Sequence, residues 1–182
     1  KSARDTQGTY LSVSGGNEDR AVVQARYGGI LGADTAWRVY GKFAARDAQR
    51  LSLGGSAGDG RQRAQAGIRV DGGIAGAKAW FVPADVFESR DDLIDRPDGE
   101  FWYIWVQGQW SNTRNDGSRV QLQPYYRREY RSIPRQLTHR IDIFDVDAQH
   151  SLRVGTRHQL VWGLGARVNS DATEGGAGLR FT

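Results

Sequence analysis

Few residue groupings in this chain have the types and spacing that chemistry needs. Gly54-Gly55-Ser56-Ala57-Gly58 fits the G-x-S-x-G expression of a hydrolase nucleophile. That chemistry requires a strained strand-to-helix turn with the serine at its apex. Here the motif sits in a glycine-rich stretch with no helical pattern after it, so a flexible loop is expected. His139, His150 and His158 are potential bases or metal ligands, but they lack tight ligand spacing. Asp145 and Asp147 share a face if the segment is a strand, and could offer oxygens to a hard cation. Pairing with arginines across that face is the simpler use of them. The remaining cluster is acidic: Asp85, Glu88, Asp91, Asp92, Asp95, Asp98 and Glu100. It reads as a long charged loop that could hold calcium or a basic ligand. No acid, base and nucleophile constellation emerges, so no enzyme activity and no cofactor are expected. The chain has no cysteine, which excludes disulfides and thiolate metal sites.

The elements that would position these residues are strands. From Trp37 to Arg46, one face reads Trp37, Val39, Gly41, Phe43, Ala45 and the other Arg38, Tyr40, Lys42, Ala44, Arg46. A period of two sorts these charges onto one face; a helix would scatter them. The same alternation recurs along the chain and predicts about ten strands. Their expected spans are 7–15, 20–28, 36–46, 61–71, 74–82, 100–110, 119–128, 139–152, 158–168 and 175–182. No segment has a convincing 3.6-residue period, so little or no helix is expected. No run approaches the roughly 18 apolar residues of a membrane-spanning helix. With 24 glycines and four prolines in 182 residues, strands joined by tight turns fit better than disorder. The length suits a single domain over residues 1–182.

The connections between expected strands alternate from the second onward; only the short hairpin from Gly16 to Asp19, on the expected outer side, breaks the rule. Gly28 to Thr35, Gly72-Gly73, Ser111 to Ser118 and Arg153 to Arg157 are short. Asp47 to Gly60, Pro83 to Gly99 and Glu129 to Thr138 are long. Membrane β-barrels have short periplasmic turns and longer outer loops. Trp37, Trp80, Trp102, Trp110 and Trp162 fall near strand ends or on apolar faces, as interfacial aromatics do. The expectation is therefore an all-β, antiparallel, up-and-down transmembrane barrel of about ten strands, with eight possible and both termini periplasmic. Its lumen would carry Arg26, Arg38, Lys42, Arg46, Arg63, Arg69, Asp71, Arg127, Asp145, Asp147 and Arg167. In so narrow a barrel these side chains should pack as an ion-pair network. The last strand would pair with the first and remove both edges. Net charge is +4, but no dense basic tract exists, so nucleic acid is not an expected partner.

Two stretches carry a family resemblance. One runs from Gly8 to Asp47 and contains Val13-Ser14-Gly15-Gly16-Asn17-Glu18-Asp19-Arg20, Ala25-Arg26-Tyr27-Gly28-Gly29 and Trp37-Arg38-Val39-Tyr40-Gly41-Lys42-Phe43. The other is Asp145-Val146-Asp147-Ala148-Gln149-His150 followed by His158-Gln159-Leu160-Val161-Trp162-Gly163-Leu164-Gly165. Together with the more generic Val120-Gln121-Leu122-Gln123-Pro124-Tyr125-Tyr126, they resemble the barrel of TonB-dependent outer-membrane receptors. The resemblance implies a place in the bacterial outer membrane. It also implies lipid and lipopolysaccharide as partners, and outer loops that touch a small-molecule ligand. Such receptors also carry a plug domain and far more strands, neither of which this sequence displays. Energised import is therefore not expected of it. The expected role is structural or ligand-contacting, as a monomer. The alternatives are a passive pore for small anions and a soluble β-barrel binding module with an apolar interior.

Overall fold

Alternation along each strand becomes a single curtain of strands. The computed structural model describes residues 1–73, 78–93, 96–155 and 157–175. They form β1 (Gly8–Ser14), β2 (Asp19–Leu31), β3 (Thr35–Arg46), β4 (Arg61–Gly72), β5 (Lys78–Leu93), β6 (Arg96–Gln107), β7 (Gln109–Thr113), β8 (Arg119–Ile133), β9 (Leu137–Val154) and β10 (His158–Gly175). One 3-10 turn, Arg4–Thr6, precedes them, and the described residues contain no α-helix. Every pairing is antiparallel, and each joins sequence neighbours except β5 with β7 and β6 with β8. β7 takes the same place as β6, between β5 and β8, in the same register. The break between them falls at Gly108, whose N–H donates to the Pro124 carbonyl at 2.8 Å. Pro124 has no N–H to return, so the ladder loses a bond there.

The strand count matches the expectation, but the strands differ from it. The expected acidic loop over 83–99 is instead the outer part of the β5–β6 hairpin, with Arg90 opposite Glu100 and Asp91 opposite Gly99. The expected loop over 129–138 is likewise mostly β8 and β9, joined at residues 134–136. Alternation fades in these stretches because both faces carry polar groups, while the backbone ladder simply continues. Residues 47–60 are thus the one long connection among the described residues, and the regular alternation of short and long loops does not hold. The strand expected over 158–168 runs on to Gly175. The strand expected over 175–182 lies beyond it, outside the described residues, as do residues 74–77 of the fifth expected strand.

The sheet has nine strand positions. β1 and β10 therefore run in the same direction, and no pairing joins them among the described residues. The expected closure of the last strand onto the first is not seen in this part of the chain.

Register assigns every side chain a face. One face carries Leu11, Val23, Trp37, Val39, Phe43, Ile68, Val70, Val82, Val86, Ile104, Leu122, Val146, Leu164 and Val168. No second layer covers it: Leu164 is 73% exposed, Val168 66% and Trp162 55%. Among the described residues the buried apolar side chains are only Ala3 and Ala36. The accessible surface, 12806 Å², far exceeds the roughly 8,800 Å² of a compact soluble chain of 20.2 kDa. The described residues do not bury their apolar side chains against one another.

The opposite face is polar, and the N-terminal segment lies on it. The Ala3 N–H donates to Asp71, Arg38 Nη1 donates to Thr6 Oγ1 at 3.2 Å, and Arg4 Nη2 donates to the Asp34 carbonyl at 2.5 Å. Gly28 makes this approach possible. A Cβ there would stand 2.5 Å from the Thr6 carbonyl oxygen, which belongs to the backbone and cannot rotate away. Gly28→Val should therefore expel the 3-10 turn while keeping the sheet. Amide exchange at Ala3 should quicken by about tenfold or more, with unchanged far-UV dichroism. Retained protection at Ala3 would show that the segment is held by something else.

Candidate functional site

All the charged residues expected to line a lumen project from the polar face. Arg26 on β2 and Arg38, Lys42 and Arg46 on β3 share it with Arg63, Arg69 and Asp71 on β4. Arg127 on β8, Asp145 and Asp147 on β9, and Arg167 on β10 complete the set. The register across β4–β5–β6–β8 keeps the two groups on the same side.

They do not form one network. Arg69 Nε meets Asp71 Oδ1 at 2.7 Å, Arg46 meets Glu18 at 2.8 Å, Arg127 meets Glu129 at 2.5 Å and Arg167 meets Asp145 at 2.6 Å. These are local pairs at different heights on the sheet. Arg26 instead lies over the Tyr10 ring, 5.4 Å from its centroid, and Arg38 reaches Thr6. Lys42, Arg63 and Asp147 make no ion pair among the described residues. Arg38 stands directly opposite Arg69, and Asp71 offsets this like-charge contact while also accepting the Ala3 N–H.

Several members of this face were not legible in the sequence. Asp85, placed in the expected acidic loop, is buried mid-strand, where it accepts from Tyr40 Oη and from Gln65 Nε2 at 2.9 Å. Phe87, Phe101 and Tyr103 form an aromatic group beside it, with Phe87 stacked on Tyr103 at 5.1 Å. The Arg127 guanidinium lies 5.0 Å from the centre of the Tyr103 ring. Glu129, also assigned to a loop, supplies the partner of Arg127. Further along the face, Gln121, Gln123, Asp147, Gln149, Gly163 and Gly165 line a cleft of about 310 Å³.

The other candidates are dispersed. Glu88 and Glu100 project from the apolar side of β5 and β6, Asp91 pairs with Arg61 at 3.0 Å, and the side chains of Asp92, Asp95 and Asp98 lie outside those described. His139 meets Asp171 at 2.6 Å, while His150 stands edge-on to Trp162. No group of three potential metal ligands occurs among the described residues. Ser56 sits in the 47–60 loop, accepts from the Gly58 N–H at 3.2 Å, and is followed by β4 rather than a helix. In the β7–β8 turn, hydrogen bonds from Ser118 hold the Asp116 carboxyl below the usual carboxylate range.

No family model matches the chain, and no curated protein or solved structure matches it either.

Asp71 joins the N-terminal segment to the polar face, accepting from both the Ala3 N–H and Arg69 Nε. Asp71→Ala would leave the Ala3 N–H unpaired and Arg69 facing Arg38 without a carboxylate. The expected cost is about 1–3 kcal/mol, read as a lower denaturant midpoint. A loss below about 0.5 kcal/mol, the range of an ordinary surface change, would show that neither group depends on it.

Proposed function

We propose that this chain forms part of the wall of a bacterial outer-membrane β-barrel, with its apolar face against lipid and its charged face toward an aqueous interior. The observation that carries this reading is the uncovered apolar face. A sheet with apolar side chains outward and ion pairs on its other side suits a solvent that is hydrocarbon on one side and water on the other.

Three further features support it. The band on β5 runs from Trp80 through Val82, Ala84 and Val86 to Glu88, which lies opposite Trp102. The eight rises between Trp80 and Glu88 span about 26 Å along a strand, or roughly 20 Å at a tilt near 40°, close to the apolar height of such barrels. Aromatic residues mark its two ends. Trp37, Trp80, Trp110 and Trp162 lie toward one, and Trp102 stacked on Tyr130 at 5.4 Å lies toward the other. Beyond Tyr126 and Phe144 the same face carries the Arg128–Asp142 ion pair at 2.7 Å, a marker of water. β9 and β10, 18 residues each, then extend well past the band.

In this reading lipid and lipopolysaccharide cover the apolar face. The 47–60 loop and the protruding hairpins contact ligands, as the resemblance to TonB-dependent receptor barrels implies. No energised import is assigned to these strands alone. Because β1 and β10 run the same way, an antiparallel barrel that contains this sheet needs an odd number of further strands. A soluble binding module would instead need the apolar face turned inward and covered.

Ile68→Arg, opposite Val39 and Ala84 in the middle of the Trp80–Glu88 band, separates the two. In a membrane wall, arginine at mid-band should cost about 2–4 kcal/mol of stability, measured by denaturant unfolding from lipid vesicles. On a water-exposed face the same change should be neutral, within about 0.5 kcal/mol, and that outcome would contradict the proposal.

A further inference from the structure

Arg46, Arg61, Arg69, Arg127 and Arg167 on the polar face are each matched by a carboxylate, while one patch of the same face is lined by amides. Across β8, β9 and β10, Gln121, Gln123, Gln149 and Asp147, together with Ala148 and Leu164, line a cleft of about 310 Å³. Its depth comes from Gly163 and Gly165. A Cβ at Gly165 would stand 2.6 Å from Asp147 Oδ1, and one at Gly163 would stand 2.9 Å from the Ala148 carbonyl oxygen. Asp147 makes no ion pair among the described residues, because the neighbouring Arg167 is held by Asp145 at 2.6 Å.

The lining selects a ligand chemistry. Each primary amide offers two donors and an acceptor, and Asp147 adds acceptors. An anion would meet the carboxylate and find Arg167 already engaged. A cation would find a single carboxylate, too few oxygens of full charge for a hard metal. An apolar ligand would strand the amides. Neighbouring hydroxyl groups, each both donor and acceptor, match a ring of amides. Beside the cleft, Tyr125 follows Gln123 on the same face, with its ring 6.4 Å from that of Trp105. These rings offer apolar faces to the C–H side of a sugar, with polar edges for its hydroxyls.

We propose that this cleft binds a neutral carbohydrate of one or two rings, a size that fits the low end of ligand pockets at about 300 Å³. The site requires only that the polar face be open to water, so it stands or falls separately from the lipid-facing role.

The test uses the full chain refolded in detergent and a panel of maltose, lactose, sucrose and trehalose. Binding is followed by tryptophan fluorescence and by saturation-transfer NMR, with inorganic phosphate as the charged control. At least one sugar should bind saturably in the millimolar range, and phosphate should not. Gly165→Val, which fills the cleft, and the Gln123→Ala/Gln149→Ala pair, which removes amides without adding bulk, should each weaken binding about tenfold or more. Far-UV dichroism verifies folding of each variant. The proposal is overturned by no saturable binding of any panel sugar, by phosphate binding in their place, or by sugar affinity unchanged in the amide pair.

Discussion

Everything in this structure depends on one register carried from β3 through β10, shifted among the described residues only between Asp91 and Leu93 at the outer end of the β5–β6 hairpin. In a sheet, side chains alternate between faces, so a single-residue shift in one pairing would exchange its two faces. Here the ladder holds across β3–β4, β4–β5, β5–β6, β8–β9 and β9–β10, and even through the interruption at Gly108. The apolar band on Val39, Ile68, Val86, Ile104, Phe144 and Val168 is continuous for that reason alone. Its counterpart is a polar face where charges at similar heights find one another.

That polar face is stabilised locally rather than collectively. Ion pairs such as Arg69–Asp71 and Arg127–Glu129 join residues two apart on one strand, and Arg167–Asp145 joins adjacent strands. Such pairs satisfy partly buried charge without requiring the whole sheet to be complete. Aromatic rings do some of the same work, with Tyr10, Phe81 and Tyr103 each lying against a guanidinium. The N-terminal turn adds contacts far along the chain, linking Ala3 to Asp71 and Thr6 to Arg38. The described sheet nevertheless ends in two free edges. β10 presents 18 residues of backbone with a neighbour on one side only, an edge that an isolated soluble protein would normally shield.

The sequence was most legible where a strand has one wet and one apolar face. Trp37 to Arg46 shows this: its alternation places Trp37, Val39 and Phe43 on one side and Arg38, Lys42 and Arg46 on the other, as the structure does. Legibility failed where both faces are polar. Around Ser89 to Asp91 and Arg128 to Arg131 the alternation disappears though the hydrogen-bonded ladder persists, so these strand ends read as loop. Glu129, the partner of Arg127, lies in such a stretch, and the burial of Asp85 depends on Tyr40 and Gln65 across the ladder. Phe87, Phe101 and Tyr103 were illegible for another reason. An aromatic ring marks an apolar face only until cross-strand stacking gives it a place on the polar one. The cleft beside Gly163 and Gly165 depends on which residue each glycine meets across the ladder, and no single strand carries that information.

The central claim is that the two faces of one sheet meet different solvents, and the tryptophans report on it. Trp105 projects from the polar face, while Trp80 and Trp162 project from the apolar one. Single-tryptophan variants of the full chain, inserted in vesicles of brominated lipid, place each indole relative to the acyl chains. Strong quenching of Trp80 and Trp162 with little quenching of Trp105 is the predicted result. Trp105 quenched as strongly as Trp162, or none of the three quenched at all, would contradict it.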